Sequence, residues 1–218
     1  DQRAWLDAHC RQVRLFPHGL GRRLVGVALG LIKGLPLQVG WFLNGAQRRA
    51  VRAGMEQVDL GYCYYIRSAE ALRGAASHKP IFLAMQLSQS LNTRRMMAHY
   101  RNWRERLIYG VESRLVRGYE ARIWRDFSRT VLIGAQDEAE IRSICRDRGW
   151  PEIDNVVHAP HGTDIDRFKP RDDVAPAPCS LVFNGVMRTY TNVHAITWFV
   201  AHVWPLIRRR EPRATLAI

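Results

Sequence analysis

Three apolar runs constrain this chain more than anything else in it. They are Val58–Ile66 (VDLGYCYYI), Ile81–Met85 (IFLAM, just after Lys79-Pro80) and Arg129–Ile133 (RTVLI). Each is short and apolar at successive rather than alternate positions, the pattern of a strand buried on both faces. Helical segments fall between them: Leu43–Met55 before the first run, a long region from Ser88 to Arg125 before the third, and Asp137–Arg148 after it, closed by Gly149 and Pro151. Strands joined through helices pair in parallel, with the helices against the sheet. The reading is completed by helices over Asp1–Cys10 and Leu20–Lys33 and short strands at Val13–Phe16 and Asn155–His158. The Ser88–Arg125 region is predicted to break near Tyr109-Gly110. Residues 1–160 thus read as most of one doubly wound α/β domain, its sheet covered on both faces. Ligands of such sheets bind at the carboxyl ends of the strands.

The stretch Val156–Pro170 (VVHAPHGTDIDRFKP) closes that domain, with a tight turn expected at His161-Gly162 and Phe168 and Pro170 pinning the crossover. Residues 161–178 read as a linker, since Asp172-Asp173, Pro176 and Pro178 are turn formers without periodicity. Over 179–218 the pattern restarts as strand (SLVFNG), turn (VMRTYTN), helix (VHAITWFVAHVWPLIRRR) and strand (ATLAI). Ile196, Phe199, Val203 and Leu206 share helical spacing and are expected as the core face of that helix. The chain opens without Met inside a helical pattern and stops in an apolar run, so it reads as an internal segment of a longer protein.

The 33 Lys+Arg against 20 Asp+Glu give a net charge of +13 over 218 residues. Lys33, Lys79 and Lys169 are the lysines, and the other cations are arginines. Such a balance speaks to partners rather than to fold. Cys10, Cys63, Cys145 and Cys179 stand far apart in no CxxC or Cys/His cluster, so no metal is expected and buried free thiols are the reading. Leu24–Leu43 holds 20 residues with one charge, borderline for a membrane span, but Lys33, Gly34 and Pro36 divide it. The favoured reading is a buried helix followed by a substrate-side loop. The alternative is a helix over Arg22–Lys33 lying on an anionic membrane surface.

Three stretches together resemble the retaining glycosyltransferases of the large GT4 family (glycosyltransferase group 1). HAPHGTDIDRFKP is similar to the family's inter-domain signature through Gly162, Asp164, Phe168 and Pro170, with His161 standing for the usual Asn. Ser180–Ile218 looks like the opening of the donor-nucleotide domain, with Gly185 at the phosphate-proximal turn. PLQVGWF, VDLGYCYYIRSAEAL, SLNTRRM and YEARIWRDFSRTVLIGAQDEAEI are similar to the acceptor-side half of sugar transferases of exopolysaccharide clusters. The resemblance implies a GT-B architecture: a doubly wound N-terminal Rossmann-like domain lacking its first strands, then the first β-α-β unit of a second Rossmann-like domain.

It also implies transfer of a sugar from a nucleotide-sugar donor to a glycan or lipid-linked acceptor, without a cofactor and without a metal. The location implied is cytoplasmic, with possible peripheral attachment to the inner face of the membrane. Val186 and Thr191 stand where many members carry Arg and Lys. The donor diphosphate would then be met by Gly185, Val186, Arg188 and Asn192 at the amino end of the following helix. Arg67 directly follows the strand Val58–Ile66 and would face the cleft, where a guanidinium grips phosphate. Ser88, His161 and Gly162 are further cleft or acceptor candidates, although Ser88, Ser90 and Asn92 suit helix capping better. His158 has no carboxylate partner identifiable from sequence, so no catalytic residue is assigned. Two other readings compete: a non-catalytic or truncated protein of this fold, and an Arg-rich nucleic-acid binder using residues 94–125. The second is disfavoured because Met96, Tyr100, Trp103 and Leu107 fit one apolar helical face, expected to pack inward.

Overall fold

The computed structural model describes residues 2–75, 78–97, 102–170, 175 and 177–218. They form a mixed α/β structure in two compact units, Asp1–Gly162 and Thr163–Ile218. Asp172, Asp173 and Pro176 of the expected linker, and Tyr100 of the expected helical face, lie outside the described residues.

Unit 1 is built on a four-stranded parallel sheet of β1 (Gly61–Tyr64), β2 (Ile81–Gln86), β3 (Arg129–Leu132) and β4 (Val156–His158), paired in that order. Its helices are α1 (Gln2–His9), α2 (Leu20–Ile32), α3 (Leu37–Trp41), α4 (Gly45–Met55), α5 (Ala69–Leu72), α6 (Gln89–Met97), α7 (Trp103–Ile123) and α8 (Ala135–Asp147). Cys63, Ile81, Leu83, Met85 and Leu132 point from the sheet into one core, where they meet Val39 of α3, Met55 of α4, Tyr119 and Ile123 of α7, and Ile141 and Ile144 of α8.

The sequence predicts helices on both faces; among the described residues they cover one. Tyr62 and Tyr64 of β1 and Val157 of β4 are exposed on the opposite face, with Phe82 and Val131 half-buried beside them. The strand order never reverses. Right-handed crossovers that always step the same way place successive helices on the same side.

Val13–Phe16 forms no strand; among the described residues none pairs with it to form a ladder. Nor does the long helical region break at Tyr109-Gly110. α7 runs unbroken through Gly110, and its start is set by Asn102, whose side chain accepts from the Arg104 backbone N–H. A single helical Gly costs about 1 kcal/mol, which strong helix formers on both sides offset. Trp103 and Leu107, expected to pack inward, are exposed.

The largest departure concerns α2. The helix expected to be buried exposes its apolar side chains and buries Gly26 and Gly30 instead. A β-carbon at Gly26 would lie 2.4 Å from the Gly40 carbonyl oxygen, and one at Gly30 would lie 3.0 Å from Gly40 Cα. Backbone therefore meets backbone along a glycine seam between α2 and α3, and the Leu, Val and Ile side chains are left outside. Among the described residues, no helix is long and apolar enough to cross a membrane.

Unit 2 pairs β5 (Ser180–Val182) in parallel with β6 (Thr215–Ala217), joined through α9 (Tyr190–His202) and α10 (Trp204–Arg210). Ile196 is buried, but Leu206 is exposed and its place on the inner side is taken by half-buried Ile207. The helix kinks at Val203, one residue before Trp204-Pro205. That kink shifts the helical phase and takes Leu206 off the expected face. The turn expected at His161-Gly162 falls later, where Asp164 Oδ1 accepts from the Asp166 and Arg167 N–H groups. Phe168 is exposed, with the Arg167 guanidinium over its ring.

Candidate functional site

All four strands of unit 1 are parallel, so their carboxyl ends share one edge. Backbone strain gathers there: Tyr65, directly after β1, has φ 71°, and Gln86, at the end of β2, has φ 70°. Non-glycine residues take left-handed conformations at a cost of about 1 kcal/mol or more, and such strain concentrates at functional edges.

After Tyr65 the chain makes a short 3-10 turn, Ile66–Ser68, which carries Arg67 into a cavity of about 620 Å³. Its floor and walls come from α2, the residues around α3 and the start of α4. Arg22, Lys33, Arg48, Arg49 and Arg67 line it, together with the apolar Val25, Leu29, Leu35, Phe42 and Leu43. Arg67 Nε donates to Gln38 Oε1 at 3.0 Å, and its guanidinium lies over the rings of Tyr65 and Phe42. Arg48 Nε is buried with no hydrogen-bond partner among the described residues. Asn44 caps α4 at the rim, accepting from the Ala46 and Gln47 N–H groups.

One carboxylate lines the cavity, Glu70, and it is already held by Arg73 at 3.2 Å and by the Tyr119 hydroxyl at 2.8 Å. None of the five cations forms an ion pair among the described residues. A cavity with several unpaired cations and an apolar wall suits an anion carried on an apolar body. The sequence already pointed to Arg67. It did not show that Arg22 and Lys33, at opposite ends of α2, converge with the Arg48-Arg49 doublet.

Ser88 does not line this cavity. It is buried at the start of α6, where its hydroxyl accepts from the Leu91 N–H and donates to Glu120 Oε2 at 3.0 Å. Ser90 N and Oγ and the Gln89 N–H also donate to Glu120, and Ser88 N donates to Asp137 Oδ1 at 2.8 Å. Glu120 is fully buried. Burial outweighs the hydrogen bonds from Ser90, Gln89 and Ser88 and pushes its carboxyl up to about 7. The place an anion would take at this helix start is occupied by a side chain of the chain itself. Glu120, in GYEARI, is 30 residues from Ser90, and nothing in the local pattern marks it.

His158, at the end of β4, meets Glu138 of α8, Nε2 to Oε2 at 2.9 Å. Arg142 holds the same carboxylate at 2.7 Å. The partner that sequence could not name is therefore one helix earlier. His161 and Gly162 follow, exposed, at the end of unit 1 and outside the cavity; Gly162 has no positive φ.

In unit 2 the structure brings Gly185, Val186 and Asn192 together. Asn192 Nδ2 donates to the Val186 carbonyl oxygen at 3.2 Å, and a β-carbon at Gly185 would lie 2.9 Å from that nitrogen. A larger residue at 185 would have to displace the Asn192 side chain. The side chain of Thr189, the N-cap residue of α9, makes no cap bond; its hydroxyl donates to the Val186 carbonyl instead. Arg188 is exposed on the same turn.

Cys63 and Cys145 are buried, and burial pushes the Cys63 thiol up to about 12; Cys10 is exposed and Cys179 half-buried. Among the described residues, no three His, Cys, Asp or Glu side chains converge as metal ligands would. No family model, curated protein or solved structure matches the chain.

Proposed function

We propose that this chain belongs to a glycosyltransferase that uses a nucleotide-sugar donor, with unit 1 receiving the acceptor and unit 2 beginning the donor site in a GT-B arrangement. The observation that carries the reading is the β5–turn–α9 corner of unit 2. There Gly185 lies against Asn192, and the amino end of a 13-residue helix, which receives no cap bond from the Thr189 side chain, faces the turn with Arg188 on that turn. Helix N–H groups and a guanidinium neutralise a leaving diphosphate without a metal.

In a retaining transfer the anomeric C–O bond to the diphosphate breaks, and a bond from the acceptor oxygen to the anomeric carbon forms on the same face. The acceptor proton passes to the departing phosphate oxygen, so no protein nucleophile is required. The acceptor is a glycan or a lipid-linked saccharide, and the process served is polysaccharide or glycoconjugate synthesis in the cytoplasm. The cations of unit 1 support an acceptor that carries phosphate.

The test uses the product of the complete coding sequence, a panel of uridine-, guanosine- and adenosine-diphosphate sugars, and membrane extract as acceptor. One donor is expected to release its nucleoside diphosphate in an acceptor-dependent way. Arg188→Ala is expected to raise KM for that donor about tenfold or more, the worth of one charge-assisted hydrogen bond. Calorimetry in which none of these nucleotides binds would end the transferase reading.

A further inference from the structure

The surface of α2 is inverted. Its buried side is the Gly26–Gly30 seam against Gly40, and the opposite side is apolar and bare. Leu20, Leu24, Val25 and Ile32 are 64%, 57%, 59% and 84% exposed, with Leu29 and Leu31 also exposed. At about 100° per residue these positions span roughly half the helix circumference, centred opposite the glycines. Arg22 borders this face and Lys33 caps its far end, about 16 Å away at 1.5 Å per residue. Both also line the cavity, and so do Val25 and Leu29. The apolar face and the cationic cavity are therefore continuous.

The charge identifies the occupant. A second copy of this chain would bring the same cations and, at +13, repel. An anionic bilayer offers hydrocarbon for Leu24 and Ile32 and phosphate for Arg22 and Lys33.

We propose that unit 1 lies on an anionic membrane through α2, with Leu20, Leu24, Val25, Leu31 and Ile32 in the acyl boundary, and takes the phosphate of a lipid headgroup into the adjoining cavity. Arg48 is the deep contact. Its buried Nε, without a hydrogen-bond partner among the described residues, is a donor that a phosphate oxygen satisfies. Arg67 and Arg49 flank it, while Phe42 and Leu29 line the path of the apolar body. About 620 Å³ holds a lipid headgroup. This inference rests on unit 1 alone and stands or falls separately from the transferase reading.

Co-sedimentation of the whole chain with vesicles tests it. Pure phosphatidylcholine vesicles are compared with mixtures containing phosphatidylglycerol, at low and high salt. Binding is expected to require phosphatidylglycerol and to weaken with salt. Arg22→Gln with Lys33→Gln is expected to lower partitioning about 25-fold, at about fivefold per cation near the surface. Leu24→Ser with Ile32→Ser is expected to lower it at least tenfold. Both pairs are exposed, so an unchanged circular dichroism spectrum and melting curve show that the fold is intact. Arg48→Gln is expected to lower it about fivefold, while Arg95→Gln, on α6 and outside the cavity, leaves it unchanged.

Equal binding to both vesicle types, or indifference to the Leu24 and Ile32 changes, would overturn the docking. Equal losses from Arg48→Gln and Arg95→Gln would overturn the headgroup site. A dimer in light scattering that Ile32→Ser dissociates, without vesicle binding, would assign the face to a second copy instead. A phosphatidylglycerol-independent shift of labelled RNA would assign the cations to nucleic acid.

Discussion

Two adjacent strands of unit 1 end in the same backbone device and then diverge. After β1, left-handed Tyr65 leads to Arg67; after β2, left-handed Gln86 leads to Ser88 and Ser90. Behind β2 the chain supplies its own carboxyl group, and Glu120 closes the helix start with four donors around it. Behind β1 the chain supplies five cations and one carboxylate, Glu70, which Arg73 and Tyr119 already hold, and a cavity remains. An internal carboxyl group ties the fold together at one strand end. At the next, the carboxylate is already held, and charge is left to be satisfied from outside.

The strongest way to break this contrast is Glu120→Ala. It strands four buried donors, and a loss of about 3 to 5 kcal/mol is expected in urea unfolding. A loss below about 1 kcal/mol would mean that the Glu120 cluster is not the tie described here.

The next test is pH. Burial raises the Glu120 carboxyl from its usual 4.5 to about 7, so the folded protein holds this proton where the unfolded chain has released it. Stability from this group is fully present below about 4.5 and is lost as pH rises through 7, on the order of 3 kcal/mol in all. The difference between wild type and Glu120→Gln isolates this slope from other carboxylates such as Glu152, which the Arg142 and Arg146 side chains hold below its usual value. A difference that stays flat from pH 4.5 to 7 would place the proton elsewhere.

Smaller again is Gly26→Ala. Its β-carbon meets the Gly40 carbonyl oxygen, so α2 must move, at an expected cost of about 2 kcal/mol in thermal unfolding. Gly19→Ala, which meets nothing within 4 Å, is the matched control.

The smallest expected effect sharpens the comparison from the other side. Arg48→Gln with Arg67→Gln removes two cations that hold no ion pair among the described residues. Stability should fall by no more than about 1 kcal/mol, from the Arg67 bond to Gln38 and its ring contacts, while affinity for a phosphate-bearing ligand falls tenfold or more. Marked unfolding of this double variant would show that the cavity cations serve the fold.

Much of the backbone was legible beforehand. The apolar runs at Ile81–Met85 and Arg129–Ile133 became β2 and β3 nearly to the residue, and the 179–218 pattern became β5, α9, α10 and β6. Arg67 was expected directly after a strand ending at Ile66; β1 ends at Tyr64, and Arg67 stands in the following 3-10 turn, where it lines the cavity. α2 was legible as a helix and misread as to its face. Apolar periodicity says which side chains are alike; it does not say that glycines elsewhere will let two backbones approach and win the interior. Glu120 was not legible, since its donors lie 30 and more residues away and only the packing of α7 beside α6 joins them.

Local chemistry by itself determined strands, helices and the excess of positive charge, because propensity and periodicity act over a few residues. The tertiary structure alone decided that helices cover one sheet face, that Glu120 fills one strand end, and that Arg22, Lys33, Arg48, Arg49 and Arg67 share a cavity. Those outcomes depend on which distant surfaces exclude water from each other, and a linear pattern does not encode that choice residue by residue.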